Sequence, residues 1–175
     1  MAAVTYSLAG EVARAETLAA DLNRRFPSDT QIQSLWLPTV RAQVALDRKN
    51  PAAALNELKN PSAIEYGEWY QSCVDSVYVR GQAYLAAGQG KSAADEFQKL
   101  IDRNGLVTNC WTGALAPLGV ARGNALQAKT SQGADADAAR VRALAAYKDF
   151  LSRWKDADPD IPILKEAKAE YRKLQ

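Results

Sequence analysis

An all-α fold, arranged as a solenoid of antiparallel helix hairpins, is what this 175-residue sequence predicts, and three observations predict it. First, a phrase recurs. It is clearest as Gly81, Tyr84, Gly88, Ala93, Phe97 and Leu100. Weaker copies read Tyr6, Gly10, Ala15, Leu22, Pro27, then Ala42, Ala45, Lys49, Ala54, Leu58, then Ala121, Asn124, Ala128 with Ala143, Tyr147, Phe150. Ala15, Ala54 and Ala93 stand 39 residues apart, and self-similarity at such a period marks stacked units that cannot bury their apolar faces alone. Second, 47% of the residues are apolar, many of them alanine, while aromatic residues make up only 8%. Alanine is the best helix former and lets helices approach closely. Third, glycine and proline fall at regular breaks between helical stretches.

Capping residues, breakers and a 3.6-residue apolar period divide the chain into helices over 2–8, 11–25, 30–47, 51–59, 69–87, 90–103, 112–128, 136–154 and 161–174. Gly10, Gly88 and the pair Asn50-Pro51 mark the tight turns inside hairpins, because glycine takes the left-handed cap conformation and proline suits a first helical turn. Pro27, Pro61 and Gly105 mark turns between hairpins. The repeats therefore run approximately over 1–27, 30–61, 69–104 and 112–154, a single domain of about three and a half units closed by a helix at 161–174. Pro38 and Pro117 occupy one repeat position inside helices, where a missing donor and a steric clash predict a kink or a broken first turn. Two stretches break the period. Residues 60–68 (NPSAIEYGE) read as a connector. Residues 129–140 (KTSQGADADAAR) carry a polar surplus that reads as a solvated loop at the tip of the last hairpin, or alternatively as a contact loop.

Composition limits the chemistry. There is no histidine, which removes the commonest general base and the usual zinc ligand. Net charge is +2 with both signs interspersed, which gives neither a nucleic-acid footprint nor a polybasic membrane surface. No apolar run is long enough to insert in a bilayer, and no charged segment followed by an apolar core opens the chain. Met1 lies only about two helical turns ahead of Gly10, so the sequence reads as a piece of a longer chain, and its compartment depends on that parent. Cys73 and Cys110 lack metal or redox spacing. They fall near the starts of neighbouring helices. Packed helices lie about 8–10 Å apart and a disulfide requires Cα atoms within about 7 Å, so two free structural thiols are expected unless the helices converge. No cofactor or metal is expected. The carboxylates Asp156, Asp158 and Asp160 read as caps of the last helix, with Pro159 or Pro162 in its first turn, since the segment lacks a complete calcium loop.

The set Gly81, Tyr84, Gly88, Ala93, Phe97 resembles the tetratricopeptide repeat signature at its full internal spacing. Gly81 and Ala93 are small where two helices touch, and Tyr84 and Phe97 fill the groove beside them. The resemblance implies a right-handed superhelix of helix pairs that binds proteins or peptides, without catalysis, on a concave face formed by the first helix of each pair. Carried over residue by residue, the inward positions are Trp36, Thr39, Gln43 and Asp47, then Asp75, Tyr78, Gln82 and Leu85, then Leu115, Leu118 and Arg122. Thr39 and Gln43, or Tyr78 and Gln82, stand where an acidic-tail clamp would need lysine and asparagine, so that ligand class is not expected. Residues 150–175, with LPTVRAQ and YVRGQAYLAAG, are similar to the C-terminal repeat region of bacterial, especially acidobacterial, serine/threonine protein kinases and related regulators. That implies a regulatory or sensor module of a larger signalling protein, although no kinase motif is present. An oligomerisation domain, dimeric through the uncapped N-terminal edge, is the alternative.

Arg41 and Arg80 occupy a repeat position that is usually apolar, and are expected to bond a neighbouring helix or else to give the groove a basic spot. Trp69, Trp111 and Trp154 near helix ends read as edge-packing residues.

Overall fold

The computed structural model describes residues 2–59, 64–67, 73–107 and 109–175, and every regular element among them is helical. The helices are α1 (Ala2–Leu8), α2 (Val12–Arg25), α3 (Leu37–Asp47), α4 (Pro51–Glu57), α5 (Asp75–Ala86), α6 (Gly90–Asp102), α7 (Asn104–Val107), α8 (Trp111–Thr130), α9 (Gly133–Arg153) and α10 (Pro162–Leu174). Pro61, a turn marker of the sequence, and Trp69 lie outside the described residues.

The turns repeat with the period. Gly10, Lys49 and Gly88, each 39 residues from the next, have φ of 76°, 59° and 76°. Behind each, the same backbone bond closes the helix: Glu11 N–H to Tyr6 O, Asn50 N–H to Ala45 O and Gln89 N–H to Tyr84 O, at 2.9, 2.8 and 2.9 Å. This left-handed ending satisfies carbonyls that a helix end leaves orphaned and reverses the chain at once. At the middle turn Asn50 also accepts from the Ala53 N–H, and Pro51 opens α4. So α1–α2, α3–α4 and α5–α6 are three hairpins made by one device.

The core is built in series. One apolar cluster joins α1, α2 and α3, the next joins α3, α4 and α5, a third joins α5 through α8, and the last joins α8, α9 and α10. Phe97 is fully buried in the third, and burying such a ring contributes about 1.5–3 kcal/mol. It is gripped from two sides: a Cβ at Gly81 would lie 2.7 Å from the ring, and one at Gly119 would lie 2.4 Å from it. This bears out the expected contact of small and aromatic residues. The close backbone crossing of α6 and α8 at Gly90 and Gly123 was not foreseen; a Cβ on either would meet backbone atoms at 2.4–2.6 Å.

One expectation is refined and two are corrected. The prolines at one repeat position are accommodated differently. Before Pro38 the helix widens into a π-helical stretch, Ile32–Trp36, in which Leu37 N–H bonds Ile32 O, whereas Pro117 sits inside α8. The wider turn relieves the clash with the carbonyl one turn back. Second, the polar surplus at 129–140 is no loop. Helix α8 runs to Thr130 and α9 starts at Gly133, so the extra residues lengthen both helices, and Ala139 is fully buried. Alanine-rich polar sequence has enough helix propensity to extend a packed pair. Third, the carboxylates before α10 do not cap it. Ile161 holds the cap position without a side-chain bond, while Asp158 accepts from Asp160 N–H and Asp160 pairs with Lys165. Pro162 does open the helix, and Leu164, Ala167, Tyr171 and Leu174 pack on α9 and α8 as the apolar stripe required.

Candidate functional site

Helices α3 and α5 bring repeat-equivalent residues to one surface. Gln43 and Gln82 are 39 residues apart, and each is held by a neighbour one turn away: Gln43 Nε2 donates to Asp47 Oδ1 and Gln82 Nε2 donates to Tyr78 Oη, both at 3.1 Å. All four line an open cleft of about 850 Å³. Leu8 from α1, Leu46 from α3, the exposed Lys49 and Trp111 from α8 are also among its lining. Tyr78 is buried, with its ring edge-on to Phe97 at 5.3 Å and to Trp111 at 4.6 Å between centroids. Burial pushes its phenol above the ordinary range, so the hydroxyl stays neutral and serves as a hydrogen-bonding tip on an aromatic wall.

The other expected inward residues are not on this cleft. Trp36, Thr39 and Asp75 border a separate narrow space of about 20 Å³ with Glu65 and Ser76. The Thr39 hydroxyl is spent on Leu35 O at 2.7 Å. Burial raises the Asp75 carboxyl to about 6, against the opposing effect of a hydrogen bond with the Trp111 side chain. Leu85 and Leu115 are half-buried against the third core cluster, and Leu118 is fully buried in the fourth. Arg122 is tied down by α10: its guanidinium donates to Glu170 at 2.9–3.2 Å and to Glu166 at 3.0 Å, and Tyr147 Oη donates to the same Glu170 at 2.9 Å.

The two repeat arginines part company. Arg80 is buried, bonds Glu65 through two nitrogens at 2.9 and 3.0 Å, and bonds Glu96 of α6 at 2.9 Å. Ser76 Oγ adds a bond to Glu65 at 2.7 Å. That is the structural role expected of it. Arg41 is exposed and bonds no neighbouring helix among the described residues; it borders a depression with Glu16 and Arg48, away from the cleft.

The expectation of free thiols is overturned: Cys73 and Cys110 form a disulfide, with Cα atoms 5.3 Å apart. The N-terminal ends of α5 and α8 converge here, as Thr112 Oγ1 donating to Cys73 O also shows. The bond places Trp111, the next residue, at the cleft. Trp111 was read as an edge-packing residue but is a cleft wall, whereas Trp154 does pack at an edge, on Phe150. Leu8 and Leu46 were also missed. Leu46 lies one turn beyond Gln43, and that spacing was the available signal.

Among the described residues no group of three or more acidic or cysteine side chains is arranged to hold a metal ion, and no helix is long and apolar enough to cross a membrane. The cleft offers aromatic and aliphatic walls, oriented amides and a carboxylate, which are means of recognition. Compared with protein-family models, with curated proteins and with solved structures, the chain gives no match.

Proposed function

We propose that this chain is a non-catalytic, tetratricopeptide-like interaction module, a right-handed array of helix pairs that binds an extended peptide segment of another protein in the cleft. The observation that carries this reading is the placing of Gln43 and Gln82, equivalent across the repeat, on one cleft with Tyr78 and Trp111. Interaction hot spots favour Trp and Tyr, and amides at a fixed interval suit the regularly spaced polar groups of an extended backbone. The serial core supports an array in which each unit packs on its neighbours.

Panning a random dodecapeptide phage library against the immobilised chain tests it. The expected result is a recurrent motif whose binding is lost in Gln43→Ala/Gln82→Ala and kept in Lys91→Ala/Arg142→Ala, a pair bordering the α6–α9 face. Selection of no motif, or binding indifferent to the cleft pair, overturns the reading.

A further inference from the structure

We infer that the cleft recognises a cationic side chain, a lysine or arginine of the bound peptide, seated between the Asp47 carboxylate and the ring of Trp111. The inference rests on the peptide-binding reading and adds the chemistry of the ligand. It follows from an inventory of charge. Arginines that might have made this face basic are spent elsewhere: Arg80 is buried on Glu65 and Glu96, Arg122 is held by Glu166 and Glu170, and Arg41 borders another depression. Among the described residues Asp47 has no such partner. Its Oδ1 accepts from the neutral Gln43 amide, and its Oδ2 is shielded with no hydrogen-bond partner. With only a neutral amide to balance it, this carboxylate attracts a cation brought into the cleft.

Lys49 also borders the cleft and carries the opposite charge, but it is exposed. Water screens an exposed ammonium, whereas a shielded carboxylate acts through a lower effective dielectric, so Asp47 dominates at short range. Trp111 supplies the second half of the seat. It is 36% exposed, a high value for so large an apolar side chain, and its ring is held edge-on by Tyr78. Indole is the best aromatic partner for a cation.

The library selection described above discriminates. Lysine and arginine are expected at several times their library frequency in the selected dodecapeptides. For the tightest one, made synthetically, Asp47→Asn should weaken binding at least tenfold and Trp111→Leu about threefold or more, and affinity should fall as salt rises. Norleucine for the peptide's lysine, or citrulline for its arginine, should match the Asp47→Asn loss without any change to the protein. Selected peptides lacking cation enrichment, or indifferent to these replacements, overturn this inference and leave the interaction module standing. Failure to select any peptide overturns both.

Discussion

Arg41 and Arg80 are the same residue in the same repeat position, 39 residues apart, and one is exposed while the other is buried on two carboxylates. Their potential partners repeat as well, since Glu57 and Glu96 are also 39 apart. The difference comes from what lies over them. Glu65, in the described part of the connector, folds onto Arg80 and is only 2% exposed, whereas the position equivalent to Glu65 in the preceding unit is Phe26, which is exposed. A repeated charge thus becomes structural only where non-repeating chain closes over it. Packing shows the complementary behaviour. Gly81 faces Phe97 in α5–α6, the second of the two hairpins compared, and the equivalent residues in the first of the two, α3–α4, are Ala42 and Leu58, which lie together in one core cluster. When one side of the seam shrinks by a methyl, the other grows into a ring.

The arginine contrast gives the largest expected effect. Arg80→Ala leaves Glu65 buried without its cation and Glu96 with only the partly exposed Lys99, a kind of break that costs about 3–5 kcal/mol. Arg41→Ala should stay within about 0.5 kcal/mol, as exposed substitutions do. Urea denaturation of the two variants checks the pair; equal losses would erase the distinction between the two units.

The disulfide separates the same hairpins, because Ser34 stands where the first unit would need Cys73. The bond closes a loop of sequence separation 37 that spans α5 and α6. Restricting an unfolded loop of that length stabilises the fold by about 2–4 kcal/mol. Cys73→Ser/Cys110→Ser should lose that amount, and the unfolded, unreduced protein should yield no titratable thiol. Two reactive thiols per chain would restore the original expectation.

Replacing Gly81 by alanine imitates the first hairpin on one side of the seam only. The new Cβ would sit 2.7 Å from a Phe97 ring that Gly119 already blocks behind, so overpacking near the upper end, about 3 kcal/mol, is expected. Better helix propensity returns about 1, for a net loss of about 2 kcal/mol. Adding Phe97→Leu should recover part of it, because alanine facing leucine is the solution the first hairpin uses. Additive losses in this double-mutant cycle would show that the two residues are not a packing pair.

What could be read in the sequence was what is local and periodic. The 39-residue spacing located the tight turns and the seam of Gly81 and Phe97, and the resemblance to tetratricopeptide repeats pointed to four residues that share the cleft: Gln43, Asp47, Tyr78 and Gln82. Features that depend on convergence of distant segments were hidden. Nothing in the spacing of Cys73 and Cys110 reports that α5 and α8 meet at their starts, and so nothing revealed Trp111 as a cleft wall. The polar surplus at 129–140 misled for another reason. Its charge and glycine resemble a loop, but Ala136 and Ala139 lie at helical spacing, and only packing against α8 decides between the two. The π-helical turn before Pro38 has no signature beyond the proline itself.

The smallest effect concerns Asp75, whose equivalent in the first hairpin is Trp36. Burial raises its carboxyl from 3.8 to about 6. The native chain therefore holds this proton up to about pH 6, while the unfolded chain releases it near 3.8. Between those values the native state binds more protons, so this group's contribution to stability declines as pH rises and stays low above pH 6. Two pKa units correspond to nearly 3 kcal/mol for a fully desolvated group; the partial exposure of Asp75 reduces this to about 1–2 kcal/mol. Asp75→Asn removes the titration and keeps an oxygen to accept from the Trp111 indole. The variant should match the parent near pH 4 and exceed it in stability at pH 7. Carboxylates such as Asp21, held low by the Arg24 and Arg25 hydrogen bonds, act with the opposite sign in both proteins, so the difference between the two stability curves isolates Asp75. Curves that stay parallel from pH 4 to 7 would show that this carboxylate titrates alike in folded and unfolded chains.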